Sequence, residues 1–297
     1  MNIQSLSICV PANRCINDCK FCCSKMHGGD YEDCFTALDA TMGYYDSLVK
    51  RLKYARDNGC NTLMLTGNNE PQQNTTFLRV LGIANRSLDN PFLNIEMQTS
   101  GAYIDEKMLD FLKDIGVTTM AISIACLDND SLNREIIQTP DRNLNISILC
   151  ANIKKRGMNL RLCLNMNDKI VDCLDSLETT LNRIIGICSL DKANQLTCRA
   201  LWTSEDGTPQ ADWIKENVTS KTYDFIKYFK EEVKTNGRYL DTLEYGADRY
   251  DYKGFSTVID EDSMAQSKEK KESVKYLIFR PDGHLYSKWD SKASLIF

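Results

Sequence analysis

Short apolar segments alternate with amphipathic helical patterns over the first two hundred residues of the chain. The predicted strands are residues 6–10, 62–65, 93–97, 119–124, 160–164 and 195–200. The predicted helices include residues 45–56, 106–115, 146–155 and 172–185, each followed by a glycine, which commonly ends a helix. This alternation indicates an α/β fold in which helices cover a parallel sheet. Six such units predict a partial (β/α)6 TIM-like barrel, because a closed TIM barrel needs eight.

The character of the sequence changes after Trp202. We therefore predict a barrel domain over residues 1–202 and a C-terminal α+β extension over residues 203–297. Residues 203–273 are polar with one predicted helix at 222–234, and residues 275–288 predict two strands joined by an Arg-Pro-Asp-Gly turn. The extension also keeps aromatic residues that need a surface to pack on: Trp213, Tyr245, Tyr250, Tyr252, Phe255, Tyr286 and Trp289.

A partial barrel leaves a lateral opening, and this opening suggests a role for the extension. We predict that residues 203–297 cover the opening as a lid and supply part of the substrate pocket. The alternative is that the hairpin at residues 275–288 merely caps one end of the barrel.

Charge and hydropathy restrict the partners and the compartment. No apolar run approaches the ~18 residues of a membrane span, and the N-terminus lacks a signal sequence, which predicts a cytoplasmic protein without a membrane partner. The net charge of −5 disfavours a nucleic-acid partner. In a reducing compartment the 13 cysteines do not predict a disulfide scaffold. Those in apolar surroundings are predicted to be small buried residues: Cys60, Cys126, Cys150, Cys163 and Cys188.

Three further cysteines follow the first predicted strand at a spacing typical of a metal centre. Cys15, Cys19 and Cys22 form a C-x3-C-x2-C run on a loop. Thiolates that converge in this way favour iron–sulfur clusters or zinc. Three ligands on a four-iron cubane would leave one iron open to a substrate or cofactor.

A zinc site is the alternative at the same loop. Cys19, Cys22, His27 and Cys34 have nearly the spacing of a zinc knuckle, which would make the chain a zinc-binding interaction module. Such modules are usually small and basic, and this chain is neither.

The triplet, together with Phe21 before its third cysteine, resembles the radical S-adenosylmethionine (radical SAM) superfamily. The resemblance implies that Cys15, Cys19 and Cys22 bind a [4Fe–4S] cluster whose fourth iron chelates S-adenosylmethionine (SAM). It further implies that reduction of the cluster cleaves SAM and that a 5′-deoxyadenosyl radical then abstracts hydrogen from a substrate.

Other strand ends are similar to the SAM-binding motifs of the same superfamily. Residues 67–71, Gly-Asn-Asn-Glu-Pro, resemble the G-x-G-E-P motif, with Asn69 in place of the second glycine. Residues 98–101 resemble the Thr-Asn-Gly strand end. The residues that the resemblance implies as SAM contacts are Phe21, Gly67, Asn68, Asn69, Glu70, Thr99, Ser123, Arg142 and Asn165, with Arg134 as the rival of Arg142.

The substrate is less constrained than the cofactors. No cysteine follows Cys198, so auxiliary clusters of the kind found in many peptide-modifying relatives are not expected. We therefore expect a single cluster, an external electron donor of the flavodoxin or ferredoxin type, and a small metabolite or nucleotide as substrate. A peptide or an RNA base is the alternative.

Overall fold

The computed structural model describes residues 2–12, 14–26, 42–171, 176–204, 207–243, 247–261, 273–289 and 291–297. The described residues form an α/β fold around one sheet of eleven strands. The strands are β1 (Asn2–Cys9), β2 (Thr62–Thr66), β3 (Asn94–Thr99), β4 (Thr119–Ile124), β5 (Asn159–Met166), β6 (Gln195–Ala200), β7 (Arg238–Thr242), β8 (Asp248–Tyr252), β9 (Phe255–Asp260), β10 (Ser273–Phe279) and β11 (Leu285–Tyr286).

Nine α-helices cover this sheet within the described residues. They are α1 (Met42–Asp57), α2 (Thr75–Arg86), α3 (Glu106–Asp114), α4 (Asp130–Ile137), α5 (Ile146–Lys155), α6 (Asp168–Val171), α7 (Leu177–Leu190), α8 (Pro209–Asn217) and α9 (Ser220–Asn236). Six of the helices begin at a polar residue whose side chain accepts a backbone N–H of the first turn, which satisfies a donor that the helix leaves unpaired. These residues are Asn74, Asp105, Asn129, Asn145, Ser176 and Thr208.

The strand order is β11-β10-β1-β2-β3-β4-β5-β6-β9-β8-β7. All strands from β10 to β9 in this order run parallel, and the pairs at either end are antiparallel. Among the described strands β11 and β7 remain the two edges, so the barrel is open. Because parallel strands end at the same edge of a sheet, the loops after β1 to β6 meet on one side of the molecule.

The main core lies between this sheet and its helices. Inward-facing residues such as Leu6, Leu63 and Ile122 are fully buried, in the pattern that the apolar segments predict. The cysteines predicted to be small buried residues are all buried, with exposed fractions of 3% or less. None of the described helices is long and apolar enough to cross a membrane.

The structure corrects the sequence-based assignment at two places. Gly186 lies inside α7 and does not end it, because the apolar pattern continues to Leu190 and the C-cap is Asp191. Residues 203–260, predicted to be polar with one helix at 222–234, also contain the helix α8 and the strands β7, β8 and β9. Their exposed edge strand carries charged side chains such as Arg238, so it lacks the apolar pattern of a buried strand.

Two strands of the C-terminal third extend the parallel sheet. β10 lies beside β1 and β9 lies beside β6. The predicted turn joins β10 to β11, and Gly283 adopts φ +83° there, which a residue with a side chain seldom does. One sheet therefore contains strands from both sides of the predicted boundary at residue 202.

Candidate functional site

The loop after β1 brings three cysteines to one wall of a cavity. Cys15, Cys19 and Cys22 all line this cavity, whose volume is about 280 Å3. The loop pairs with the end of α4, where the backbone N–H of Lys20 donates to Ile136 O at 3.0 Å. Since both partners are main-chain groups, this part of the loop is positioned largely independently of its side chains.

Gln73, in the segment after β2, bonds to the start of the same loop. Its Oε1 accepts the backbone N–H groups of Ile16 and Glu70, each at 3.1 Å. Its Nε2 donates to Arg14 O at 2.8 Å. One amide side chain thus holds the backbone on either side of Cys15.

Glu70 lies at the centre of a buried network that joins the loop to two strand ends. Its carboxylate accepts from Asn17 Nδ2 at 2.8 Å, Gln72 Nε2 at 3.1 Å, the Ser100 N–H at 3.1 Å and the Thr99 hydroxyl. Asn17 Nδ2 also donates to Ser100 Oγ at 2.8 Å. A carboxylate has about four acceptor sites, so these donors use most of its capacity. Any ligand amine at Glu70 must share an oxygen with one of them.

The segment before Glu70 has a backbone that only glycine adopts readily. Gly67 has φ +146°, and a Cβ there would lie 3.4 Å from both the N and the O of Val10. Asn69 Nδ2 donates to the same Val10 O at 2.5 Å, while Asn69 Oδ1 is buried and has no hydrogen-bond partner among the described residues. Asn69 thus fixes the turn with one end of its amide and leaves an acceptor unused.

The structure gathers most, but not all, of the predicted cofactor contacts around the cavity. Those that line it are Phe21, Gly67, Asn68, Asn69, Glu70, Thr99, Ser123 and Asn165. Asn165 is 4% exposed, and its Nδ2 has no partner in the described part of the chain. Arg142 is exposed and is not among the lining residues. Its rival Arg134 is held by Leu144 O, to which its Nη1 donates at 2.7 Å.

Several lining or supporting residues were not identified from the sequence. Asn17, Gln73 and Ser100 act through contacts between segments that are distant in the chain, and single polar residues in loops carry no periodic signal. Arg199, Leu201, Trp202, Tyr276 and Trp289 also line the cavity. The sequence carries one signal for Arg199: it is an arginine within the predicted strand 195–200, and buried strands rarely contain arginine.

Helix α8 packs on the cysteine loop through a second, small apolar core. This core contains Met26 of the loop with Ala211, Ile214 and Val218. The ring centroids of Phe21 and Trp213 lie 6.1 Å apart. The C-terminal third therefore contacts the loop directly.

The three cysteine thiols of the loop are the ligand type that an iron–sulfur cluster requires, and cysteine thiols bind iron as thiolates. Burial raises the pKa of the Cys15 thiol to about 11, a hydrogen bond from the Asn17 backbone opposes this, and the Glu70 carboxylate adds to it. Burial, followed by Cys22 and Glu70, raises the pKa of the Cys19 thiol well above its ordinary value. Since thiolates are the metal ligands, iron must displace these protons when it binds.

No three described His, Cys, Asp or Glu side chains are close enough to hold a single metal ion. A four-iron cluster poses a different requirement, because each thiolate binds a different iron. His27 and Cys34, the other ligands of the zinc-knuckle alternative, lie outside the described residues, as do Cys173 and Tyr245.

The unused polar atoms of the cavity fit a polar cofactor. An unpaired buried polar atom costs on the order of 1–3 kcal/mol, and the cavity contains such atoms on Asn69 and Asn165. Both residues are among the predicted SAM contacts. A ligand that carries amino, carboxylate and hydroxyl groups would give these atoms partners.

Comparisons with known proteins assign the family. A family model of the radical SAM superfamily matches residues 9–169, more than half of the chain. The chain therefore belongs to the radical SAM superfamily. Members of this superfamily are enzymes that use a [4Fe–4S] cluster and SAM. A search of curated protein sequences gives no match.

Solved structures share the fold at low sequence identity. The chain is similar to anSMEcpe with bound AdoMet, at a TM-score of 0.63 and 14% identity over 98% of this chain and 75% of that one. It is similar to SuiB of Streptococcus suis bound to the precursor peptide SuiA, at 0.57 and 14%, over 96% and 59%. It is also similar to the coproporphyrinogen III oxidase HemN of Escherichia coli, at 0.52 and 12%, over 80% and 54%. The chain spans about three-fifths of the length of SuiB.

Proposed function

We propose that the chain cleaves SAM reductively in this cavity and abstracts a hydrogen atom from a small metabolite or nucleotide. One observation carries the proposal: the thiols of Cys15, Cys19 and Cys22 line the same cavity as the strand ends that resemble SAM-binding motifs. When bound, the cluster supplies the electron that cleaves SAM, and SAM supplies the radical that removes hydrogen.

The residues of the chain have three tasks in this proposal. Cys15, Cys19 and Cys22 hold the cluster. The Asn17–Glu70 pair keeps the cluster loop at a fixed distance from the strand ends, so that the cofactor and the substrate meet in one geometry. The contact with α8 covers one side of the loop, which limits the access of water and oxygen to a bound cluster and so protects reactive species from side reactions.

The composition of the cavity wall supports a small substrate. Apolar and aromatic side chains such as Leu201 and Trp202 stand beside a few polar groups there, as in most small-molecule sites. The part of its wall formed by Tyr276 and Trp289 comes from residues 203–297, which is why we propose that this extension completes the substrate pocket.

A short peptide is the second candidate substrate. It is favoured by the similarity to anSMEcpe, solved with a bound Cp18Cys peptide, and to SuiB, solved with its precursor peptide. An RNA base is the third candidate, and the net charge of −5 disfavours it.

Two further proposals concern the surroundings of the protein. We propose an external electron donor of the flavodoxin or ferredoxin type, which superfamily members use to reduce their cluster. We also propose a reducing, cytoplasmic compartment, because no disulfide joins the cysteines of the described segments.

Anaerobic reconstitution tests the proposed function. The reconstituted chain is expected to hold about four irons, the content of one [4Fe–4S] cluster, and to convert SAM to 5′-deoxyadenosine when reduced. The Cys60→Ala protein serves as the matched control, because Cys60 is a buried thiol of the main core. Absence of 5′-deoxyadenosine from a fully loaded, reduced sample, or zinc at about one per chain, would contradict the proposal.

A further inference from the structure

One part of the cavity wall belongs to none of the cofactor-binding motifs. It consists of Arg199 on β6, Trp202 after β6, Tyr276 on β10 and Trp289 near the C-terminus. These residues combine one cation with three aromatic rings.

Arg199 differs in its ion pairing from Arg161, which lies on the neighbouring strand β5. Arg161 makes a close ion pair, with Nη2 2.6 Å from Glu96 Oε1. Among the described residues, Arg199 has one ion-pair partner, Asp260, which lies beside it on β9 with Oδ2 3.7 Å from Nε. That distance exceeds a hydrogen bond, and Nε has no partner among the described residues.

The charge of Arg199 is therefore only loosely compensated inside the cavity. Its side chain is 28% exposed, so its guanidinium can reach a ligand. A guanidinium presents five N–H donors in a planar fork that matches carboxylate and phosphate oxygens.

The aromatic residues define the rest of this subsite. The rings of Tyr276 and Trp289 pack edge to face, with centroids 6.2 Å apart at 66°. Trp202 lines the same cavity, and Leu201 beside it adds an apolar surface. Such walls favour a planar or apolar body, because aromatic side chains contribute large contact areas at low entropic cost.

We propose that Arg199 binds an oxyanion group of the substrate, a carboxylate or a phosphate, while Trp202, Tyr276 and Trp289 contact the planar part of the same molecule. This inference rests on the proposed function and adds a substrate class to it. It predicts an anionic small molecule with an unsaturated ring system.

Binding of simple probes to the SAM-loaded holoenzyme tests the subsite by calorimetry. Benzoate and phenyl phosphate carry the two oxyanions, and benzamide is the neutral ring of similar size. At least one anion should bind about tenfold or more tighter than benzamide, since hydrogen bonds to charged groups are worth that much. The two anions separate the carboxylate from the phosphate source.

Two variants of the subsite and one control identify the residue responsible. Arg199→Gln should abolish the preference for the anion, whereas Arg86→Gln, at an exposed arginine outside the cavity, should keep it. Asp260→Asn removes the competing carboxylate and should tighten anion binding several-fold. A merely structural role for the Arg199–Asp260 pair would not produce this increase.

The outcomes distinguish a failure of the Arg199 subsite from a failure of the proposed function. A wild-type holoenzyme that cleaves SAM but binds benzamide as tightly as both anions overturns the subsite alone. Retention of the preference in Arg199→Gln, or weaker anion binding in Asp260→Asn, also overturns it. A loaded wild-type chain that fails to cleave SAM overturns the proposed function, whichever probes it binds.

Discussion

Two sets of cysteines within the described residues differ in their surroundings. Cys60, Cys126, Cys150 and Cys188 lie among apolar core residues. Burial raises the pKa of the Cys60 thiol to about 11 and keeps this thiol protonated. Cys15, Cys19 and Cys22 lie on a loop beside a cavity. Their spacing predicts this separation, because thiols three and four residues apart on one loop can converge without contacts from the rest of the fold.

The first prediction concerns this difference. Cys19→Ala should lose most of its iron after reconstitution and should not form 5′-deoxyadenosine, because a cluster with two protein thiolates is exposed to loss and oxidation. Cys60→Ala should keep the iron content of the wild type. Iron analysis of both variants checks the prediction, and full iron loading with SAM cleavage in Cys19→Ala would contradict the ligand assignment.

The supporting residues of the site could not be predicted in the same way. Asn17 lies 53 residues before Glu70 in sequence, and only the fold brings Asn17 Nδ2 within 2.8 Å of Glu70 Oε1. The sequence predicts Glu70 as a SAM contact, and the structure shows that its carboxylate also joins the cysteine loop to the end of β3. That second role follows from tertiary contacts and leaves no local sequence pattern.

The second prediction concerns this network. Asn17→Ala removes one buried donor to the Glu70 carboxylate and the buried donor to Ser100 Oγ, and it should lower the free energy of unfolding by about 1–3 kcal/mol. It should also release iron to a chelator faster than the wild type, since the loop loses its connection to the strand ends. Asn236→Ala, at an exposed residue that bonds only within α9, is the control. Equal rates of iron release from both variants would show that the network does not hold the loop.

At the scale of the secondary structure, the alternation of apolar segments predicted the six inner strands within a few residues. It worked because most residues of these strands are buried, so each strand contributes a short group of apolar side chains, although polar residues such as Glu96 and Arg199 lie among them. It failed for β7 to β9, where polar and aromatic residues at the edge of the sheet give no such pattern. It also misplaced the end of α7. Gly186 predicts a helix end at residue 185, whereas the apolar pattern and the helix continue to Leu190.

The third prediction concerns Gly186, which lies inside α7. An exposed glycine inside a helix costs up to about 1 kcal/mol relative to alanine, and a Cβ at Gly186 would meet no atom within 4 Å. Gly186→Ala should therefore raise the free energy of unfolding by an amount of that order, measured by chemical denaturation. Gly157→Ala is the matched control, because its Cβ also meets nothing within 4 Å but its φ is +71°. That variant should be destabilised by about 1–2 kcal/mol.

At the scale of the whole molecule, the C-terminal third is joined to the barrel in two ways. Its strands β9 and β10 pair with β6 and β1, and its helix α8 covers the cysteine loop. Deleting residues 203–297 would leave β1 and β6 as unpaired edges, which favours aggregation. A single substitution in α8 is therefore the sharper test of the lid that we propose.

The fourth prediction concerns this lid. Ile214 is 2% exposed and packs in the small core with Met26 of the cysteine loop, so Ile214→Ala removes apolar contacts that hold α8 on the loop. The loss of visible cluster absorbance in air should become several-fold faster, and more SAM should be cleaved per substrate turnover, because a looser cover admits water and oxygen. Ile184→Ala on α7 is the matched control: Ile184 is also 2% exposed but belongs to the main core. Both variants should lose about 2–5 kcal/mol of stability, so a general loss of stability would affect both clusters alike. If the cluster decays in air at the same rate in the two variants, α8 does not protect it, and residues 203–297 contribute to the site only through the cavity wall that Tyr276 and Trp289 form.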